Sequence, residues 1–250
     1  MLKVDGDMIV FPAAIISQEE NPFDPEAPLI LDFEKAKSKA IALIKDKQKI
    51  LDDDEIILTF SCSREDNWRR KYLPSYKADR EPSPLLIPQL KEFLSEEYHV
   101  ITNSCLEADD LLAMMQDPED VNSIVCSGDK DMFTIPGRTY LWNRKIDKTQ
   151  TLREANEFHF EQVLQGDRTD GYFGCPGIGP AKAKKILAEF KEINCEIEYQ
   201  QAVWEKLIET FAKKDLTEED LKIQYYVSRL LRKGEFDFKK KEVKLLDFLK

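Results

Sequence analysis

The 250-residue chain has no apolar run that approaches the roughly 18 residues of a membrane-crossing helix, which excludes a transmembrane span. Its first residues, MLKVDGDMIVF, lack the basic start and small-residue cleavage site of a signal peptide, so the expected location is the cytoplasm. Cysteine is sparse. The five residues, at 62, 105, 126, 175 and 195, are odd in number and form no C-x-x-C pair, which argues against a disulfide framework and against zinc. They read as reduced thiols, mostly in the core. Internal repeats and low-complexity tracts are missing as well. Basic charge is short overall: a net charge of −11 argues at first sight against a nucleic-acid partner, which normally needs a basic footprint.

The distribution of charge matters more than its total. From Arg64 to Arg80 the basic residues 64, 69, 70, 71, 77 and 80 outnumber the acids 65, 66 and 79, and Lys182, Lys184, Lys185 and Lys191 form a second basic cluster. The aromatics Trp68, Tyr72 and Tyr76 in the first segment suggest either base and sugar contacts or packing against the domain. Acids recur in tight groups elsewhere.

The length suits one large α/β domain, or a main domain with a small helical annex, and the patterning favours the second. Short β-like runs fall at residues 2–4, 56–60, 99–102, 124–127 and 139–142, with helix-like stretches between most of them. That alternation predicts an α/β fold with a mostly parallel central sheet flanked by helices over residues 1–150. Residues 33–51 form the crossover helix, with Ala36, Ala40, Leu43, Ile44 and Ile50 in helical period, after a proline-marked loop at Pro22, Pro25 and Pro28. EPSPLLIP at 81–88 leads into a helix over 89–97. Beyond 150, helical patterns at 157–166, 180–190, 197–213 and 217–233 predict an all-helical region, with EVKLLDF as a last edge strand.

The acids then fall where strands end. Asp5 and Asp7 follow the first run, Glu107, Asp109 and Asp110 the third, Asp129 and Asp131 the fourth. In a parallel sheet these positions share the carboxyl edge, where open α/β folds place their ligand crevice. On the helix opening near Leu106, Glu107 and Asp110 share a face while Asp109 is turned aside. So many like charges cannot all ionise without cations among them, and an all-oxygen set without histidine selects Mg²⁺ or Mn²⁺. Two such ions flanked by basic segments suit hydrolysis of a phosphodiester. Each acidic group alone reads more simply as an acid-rich helix start, and the recurrence after three strands is what favours metal.

Residues 166–188, GDRTDGYFGCPGIGPAKAKKILA, combine Gly174, Gly177, Ile178 and Gly179 in a tight turn with Pro180 at a helix start and Lys182, Lys184 and Lys185 behind it. Such a turn presents backbone N–H groups to a phosphate without reading sequence. Asp167 and Asp170 extend the acid cluster, or serve only as turn residues.

The succession VDGD, NWRRKYLPSYKADR, LEADD, SGDKD and GDRTDGYFGCPGIGPAKA resembles the motifs of the 5′-nuclease superfamily, from near the N-terminus to about residue 190. The compact size and the ending TEEDLKIQYYVSRLLRKGEFDF look most like the short podophage 5′→3′ exonucleases. The resemblance implies the PIN-like 5′-nuclease fold, with a basic arch at about 62–88 and a helical DNA-binding region over 151–250 that contains a helix–three-turn–helix at about 166–190. It implies a first metal site of Asp5, Glu107, Asp109 and Asp110 and a second of Asp129, Asp131, Asp167 and Asp170, holding two Mg²⁺ or Mn²⁺, with K⁺ at the glycine turn. Arg69, Lys77 and Arg80 would act at the scissile phosphate, Arg70 and the glycine turn on the DNA. The implied activity is 5′→3′ hydrolysis of duplex or flap DNA, with removal of RNA from hybrids, in a bacterial host cell if the chain is phage-encoded and with no membrane partner. Relatives carry an aspartate after the second strand, whereas this chain has FSCSREDNWR with Ser61 there. Either Glu65 or Asp66 moves in, or the first metal has fewer ligands. Two rivals stay open: a PIN-like ribonuclease, and a DNA-structure-binding protein with a weakened site.

Overall fold

The computed structural model describes residues 1–20 and 28–249, so Pro22 and Pro25 of the expected loop lie outside the described residues. Six strands form the central sheet: β1 (Leu2–Asp5), β4 (Ile56–Phe60), β5 (His99–Thr102), β6 (Ile124–Ser127), β7 (Gly137–Leu141) and β8 (Ile146–Gln150), in the spatial order β5-β4-β1-β6-β7-β8. All neighbours are parallel except β7 and β8. The short two-residue pairs β2 (Gln18–Glu19) with β3 (Ile30–Leu31) and β9 (Phe236–Asp237) with β10 (Glu242–Val243) stand apart from it. The expected last edge strand is therefore half of a separate ribbon, followed by a 3₁₀ turn at Asp247–Leu249.

The order places the reversal of chain direction across the sheet between β1 and β6. That is the topological switch point, where the loops leave in opposite directions and open a crevice. Helices α1 (Asp7–Ile15), α2 (Phe33–Leu51) and α3 (Ile87–Glu97) cover one face. In α2 the Asp32 side chain accepts from Lys35 N (2.9 Å), and Ala36, Ala40 and Ile44 are buried against the sheet. Ile50, counted in the same stripe, is half exposed, and Leu51 packs against the core in its place. Helix α4 (Ala108–Met115) packs on β1, β4 and β5.

The remaining helices are α5 (Leu152–Gln165), α6 (Pro180–Leu187), α7 (Glu196–Ala212) and α8 (Glu218–Ser228). They enclose a second core around Phe160, Trp204, Leu207 and Phe211. Two of their boundaries differ from the periodicity. Helix α5 begins five residues early because Thr151 and Glu154 form a reciprocal capping box. Helix α8 stops at Ser228 instead of near 233, since the backbone of Val227–Leu231 is drawn into contacts with Arg69 and Asp110. Among the described residues no helix is long and apolar enough to cross a membrane.

Between α5 and α6 the chain doubles back on glycines. Gly166 (φ +70°) and Gly174 (φ +62°) touch backbone to backbone: a Cβ on Gly174 would stand 2.4 Å from Gly166 N. Gly174→Ala is expected to cost at least about 2 kcal/mol, combining left-handed strain with a clash against main chain. Gly179→Ala, where a Cβ meets nothing within 4 Å, is expected to stay within about 0.5 kcal/mol of the parent. Urea midpoints at constant slope check both.

Candidate active site

The acids gather at the switch point, and each is aimed by its local structure. Asp5 ends β1 and is buried, its carboxylate accepting from Met8 N (3.2 Å) and Ser127 Oγ (3.0 Å). Asp129 opens the 3₁₀ turn Lys130–Thr134 and accepts from Asp131 N (2.9 Å). Asp167 accepts from Thr169 N (2.8 Å), and Asp170 from Tyr76 Oη (3.2 Å) and Arg80 Nη2 (2.6 Å). Glu107, Asp109, Asp129, Asp131 and Asp170, with Lys77, Tyr76 and Tyr172, line a small space of about 20 Å³, room for one water-sized species.

The triad Glu107, Asp109, Asp110 divides into three roles. Asp110 is fully buried. It accepts from Arg69 Nη1 (2.8 Å) and Nη2 (2.7 Å), Trp68 Nε1 (3.0 Å), Leu231 N (3.1 Å) and Glu107 N (3.2 Å). Its lone pairs are taken by protein donors, so the expectation that it ligates metal is corrected: Asp110 is the anchor of a buried network. Glu107 faces the site with both oxygens engaged, by Lys77 Nζ (2.6 Å) on one side and by Arg69 Nη1 (3.0 Å) and Tyr76 Oη (3.1 Å) on the other. Asp109 is the one with an unanswered oxygen, its Oδ1 being buried without a hydrogen-bond partner.

Arg69 is corrected in the same way. Its guanidinium is wholly buried, and it spends Nε on Val227 O (3.0 Å), Nη1 on Glu107 and Asp110, and Nη2 on Asp110 and Arg229 O (2.6 Å). An arginine has five N–H donors, and all five are used here, so none is left for a phosphate. Lys77 and the exposed Arg80 do face the cleft. Lys77 holds a left-handed backbone (φ +53°), fixed by its N–H on Asp170 O (2.9 Å). Arg70 is half-buried on the 3₁₀ turn Trp68–Lys71. Trp68 and Tyr76 are buried, so packing accounts for them, whereas Tyr72 lies against Tyr226 with ring centres 4.5 Å apart and stays exposed.

Neither Glu65 nor Asp66 fills the position of the missing aspartate. Both are exposed, and Asp66 accepts from Ser63 Oγ (2.7 Å). The carboxylate at the end of β4 is that of Asp7, whose Oδ2 accepts from Ser61 N (2.9 Å) and whose Oδ1 pairs with Lys91 (2.6 Å). Ser61 Oγ meanwhile accepts from Ala108 N (2.9 Å) at the start of α4.

In the glycine turn, Gly174 is buried and gives its N–H to Gln224 Oε1 (2.8 Å), so it is withdrawn from the expected DNA contacts. Gly177, Gly179, Lys182, Lys184 and Lys185 are exposed and Ile178 half-buried, while Lys182 Nζ rests on Gly177 O (2.9 Å). Two roles in the cleft were not expected from the sequence, that of Lys130 and the hydroxyl bridge of Tyr76, which stood out only as an aromatic. Lys130 bridges Asp131 (2.8 Å) and Asp167 (3.6 Å), and Tyr76 bridges Glu107 and Asp170. The S-G-D-K-D spacing carried the signal for Lys130; nothing local marked the bridge of Tyr76.

The electrostatics follow from crowding. Burial, then Asp7, raises Asp5 to about 7. Burial, then Asp129, raises Asp131 to about 6, and burial with Asp5 and Asp129 pushes Asp109 well above the carboxylate range. Burial opposes the charge of Glu107 too, but Lys77 and Arg69 override it and hold the group at about 2. As the side chains lie, no group of three acids among the described residues converges closely enough to ligate an ion, because Lys77 and Lys130 stand between them. The donor set still fits a hard cation: it is all oxygen, it is over-charged, and it includes the unpartnered Asp109 Oδ1.

Residues 33–163 match the family model described as 5′-3′ exonuclease, N-terminal resolvase-like domain. The chain is similar to the exonuclease of Escherichia phage T7, at 28% identity over 98% of this chain and 92% of that protein. It is similar to the exodeoxyribonuclease of Enterobacteria phage T3, at 27% over the same shares. Its fold is similar to that of a solved T5 5′-exonuclease with divalent zinc ions bound, with a TM-score of 0.59 at 18% identity, covering 92% of this chain and 89% of that one.

Two outcomes test the site. Arg69→Met leaves Asp110 charged and unpaired in the core and is expected to cost about 3–5 kcal/mol, and Arg69→Lys, which loses the fork, to be destabilising as well; urea unfolding measures both. Asp5 and Asp131 stand above the ordinary aspartate value of 3.8, so ionising them costs the folded state more than the unfolded one. Their effect is a loss of stability as pH rises from about 4 to 7. Glu107, lowered from 4.5 to about 2, acts the other way only below that window. The metal-free protein is therefore expected to melt lower at pH 8 than at pH 5.5, with Asp5→Asn narrowing the gap; equal slopes in both proteins would rule out the crowding.

Proposed function

Since the chain belongs to the 5′-3′ exonuclease family, we propose that it is a divalent-metal-dependent 5′ nuclease that hydrolyses DNA phosphodiester bonds from a 5′ end. The observation that carries this reading is the collection of acids at the switch point, with Asp109 Oδ1 unpartnered among them and Lys77 and Arg80 at its mouth. Asp5, Glu107 and Asp109 would hold one Mg²⁺ or Mn²⁺, and Asp129, Asp131, Asp167 and Asp170 the other. Bound ions would supply an activated water and neutralise the leaving oxygen.

The chain's own groups do the rest. Lys77 and Arg80, which pair with Glu107 and Asp170 at the mouth of the cleft, would meet the scissile phosphate where charge develops. Arg69 and Asp110 keep the start of α4 fixed, which holds Glu107 and Asp109 in place. Lys184, Lys185 and the N–H groups of Gly177 and Gly179 grip duplex phosphates away from the reacting bond.

The test is release of product from a 5′-labelled duplex in Mg²⁺ and in Mn²⁺, with RNA–DNA hybrid beside DNA. Lys77→Ala is expected to slow single-turnover cleavage by roughly 10²-fold at saturating enzyme. Alanine at Lys184 and Lys185 should instead weaken binding for all sequences and flatten its salt dependence by about one unit of slope per lost contact. A saturated rate unchanged in Lys77→Ala would remove Lys77 from the reaction.

A further inference from the structure

The four acids assigned above to the second ion come from two parts of the fold. Asp129 and Asp131 follow β6 at the carboxyl edge of the sheet, whereas Asp167 and Asp170 lie in the turn between α5 and α6. Lys130 joins the two parts, with its Nζ 2.8 Å from Asp131 and 3.6 Å from Asp167, and Asp129 close enough to act on the same charge. Asp170 is answered from elsewhere, by Arg80 at 2.6 Å and Lys77 at 3.6 Å. Among the described residues Lys130 is therefore the one cation that pairs with Asp131 or Asp167.

Neither acid needs Lys130 to keep its place. Asp131 is the second residue of the 3₁₀ turn Lys130–Thr134, and its N–H is fixed on Asp129 Oδ1 (2.9 Å). Asp167 accepts from Thr169 N (2.8 Å), and its backbone is bonded both ways to Tyr172 (2.8 and 3.1 Å). Lys130, by contrast, stands at the surface of the cleft. Its side chain is 42% exposed, against 12% for Lys77, so it can turn out into water without opening a gap in the core.

We propose that Lys130 is an internal competitor of the second divalent ion: it neutralises Asp131 and Asp167 in the metal-free protein, is displaced when the ion binds, and so sets that ion's affinity. The inference rests on the nuclease reading above. An ammonium and a divalent ion on the same two carboxylates would carry like charge at close range, where repulsion is unfavourable even in a partly solvated cleft. The entering ion must therefore break both ion pairs, and the second site fills only at a free-cation concentration above what its four carboxylates alone would require. A bracing role for Lys130 predicts the opposite sign. Loss of a brace loosens metal, whereas loss of a competitor tightens it.

The experiment follows binding of Mn²⁺ to the chelator-stripped full chain, without DNA, by the electron paramagnetic resonance signal of the free ion, for wild type, Lys130→Met, Lys130→Arg and Asp131→Asn. Wild type is expected to take up two ions, the weaker of which binds about tenfold more tightly in Lys130→Met, as for removal of one like charge beside the site. Lys130→Arg, which keeps the charge, should bind as wild type does, and Asp131→Asn should loosen the weaker ion. Melting curves give an independent reading. Without metal Lys130→Met should melt below wild type, because the crowded acids lose a counter-charge, yet gain more from saturating Mn²⁺. A weaker ion bound no more tightly in Lys130→Met than in wild type would overturn the competition while leaving the nuclease reading intact, as would a wild type with one ion and a Lys130→Met that gains no second. A wild type that binds no Mn²⁺ would overturn both.

Discussion

The rest of the site depends on one buried ion pair, the fork-to-fork contact of Arg69 with Asp110. Two charges taken so far from water are tolerable only when every donor and acceptor is answered, and here each is. The pair draws together the 3₁₀ turn after β4, the start of α4, and the segment that follows α8. By contacting Glu107 as well, Arg69 passes that rigidity directly to a group in the cleft. What looks like excess acid at the head of α4 is in fact one structural carboxylate, one paired carboxylate and one unpaired.

Around this anchor the cleft is arranged as an argument between like charges. Lys77 lies between Glu107 and Asp170, and Lys130 between Asp131 and Asp167. Each ammonium thus answers two carboxylates at once. Burial, with Asp5 and Asp129 nearby, pushes Asp109 well above the usual carboxylate range, and its Oδ1 has no hydrogen-bond partner. The sheet order explains why these acids meet at all, because strands β1 and β6 are neighbours and their following loops must diverge at that point.

Much of this could be read from the sequence, and what could not shares one cause. The parallel strands were legible because each is a short β-branched or apolar run bounded by turns, as in Ile56–Phe60 and Ile124–Ser127. Crossover helix α2 was legible because its alanine stripe is uninterrupted. The placement of acids after strands was legible from spacing alone. Spacing could not say which acid of Glu107, Asp109 and Asp110 faces an arginine some forty positions away, so Asp110 and Arg69 were given to the chemistry instead of the core. The same distant contact ended α8 early, against a local pattern, YYVSRLL, that continues to favour helix. Ser61 posed the opposite problem: its partner Asp7 sits on another strand's loop, and only the register of β1 against β4 brings them together. Two local signals were left unread, the capping box at Thr151 and Glu154 and the lysine set between the acids of S-G-D-K-D.

The reach of Arg69 along the chain also sets the order of events as the protein is made. Its bonds to Val227 O and Arg229 O close loops of 158 and 160 residues, among the last contacts a growing chain can form and entropically the slowest to nucleate. A nascent polypeptide that has already built β1 to β8 still lacks the backbone that answers Arg69, and with it the fixed position of Glu107. Until the segment after α8 has left the ribosome and docked, the acids of the cleft have no rigid frame, so the completed protein carries a geometry that none of its unfinished precursors shares.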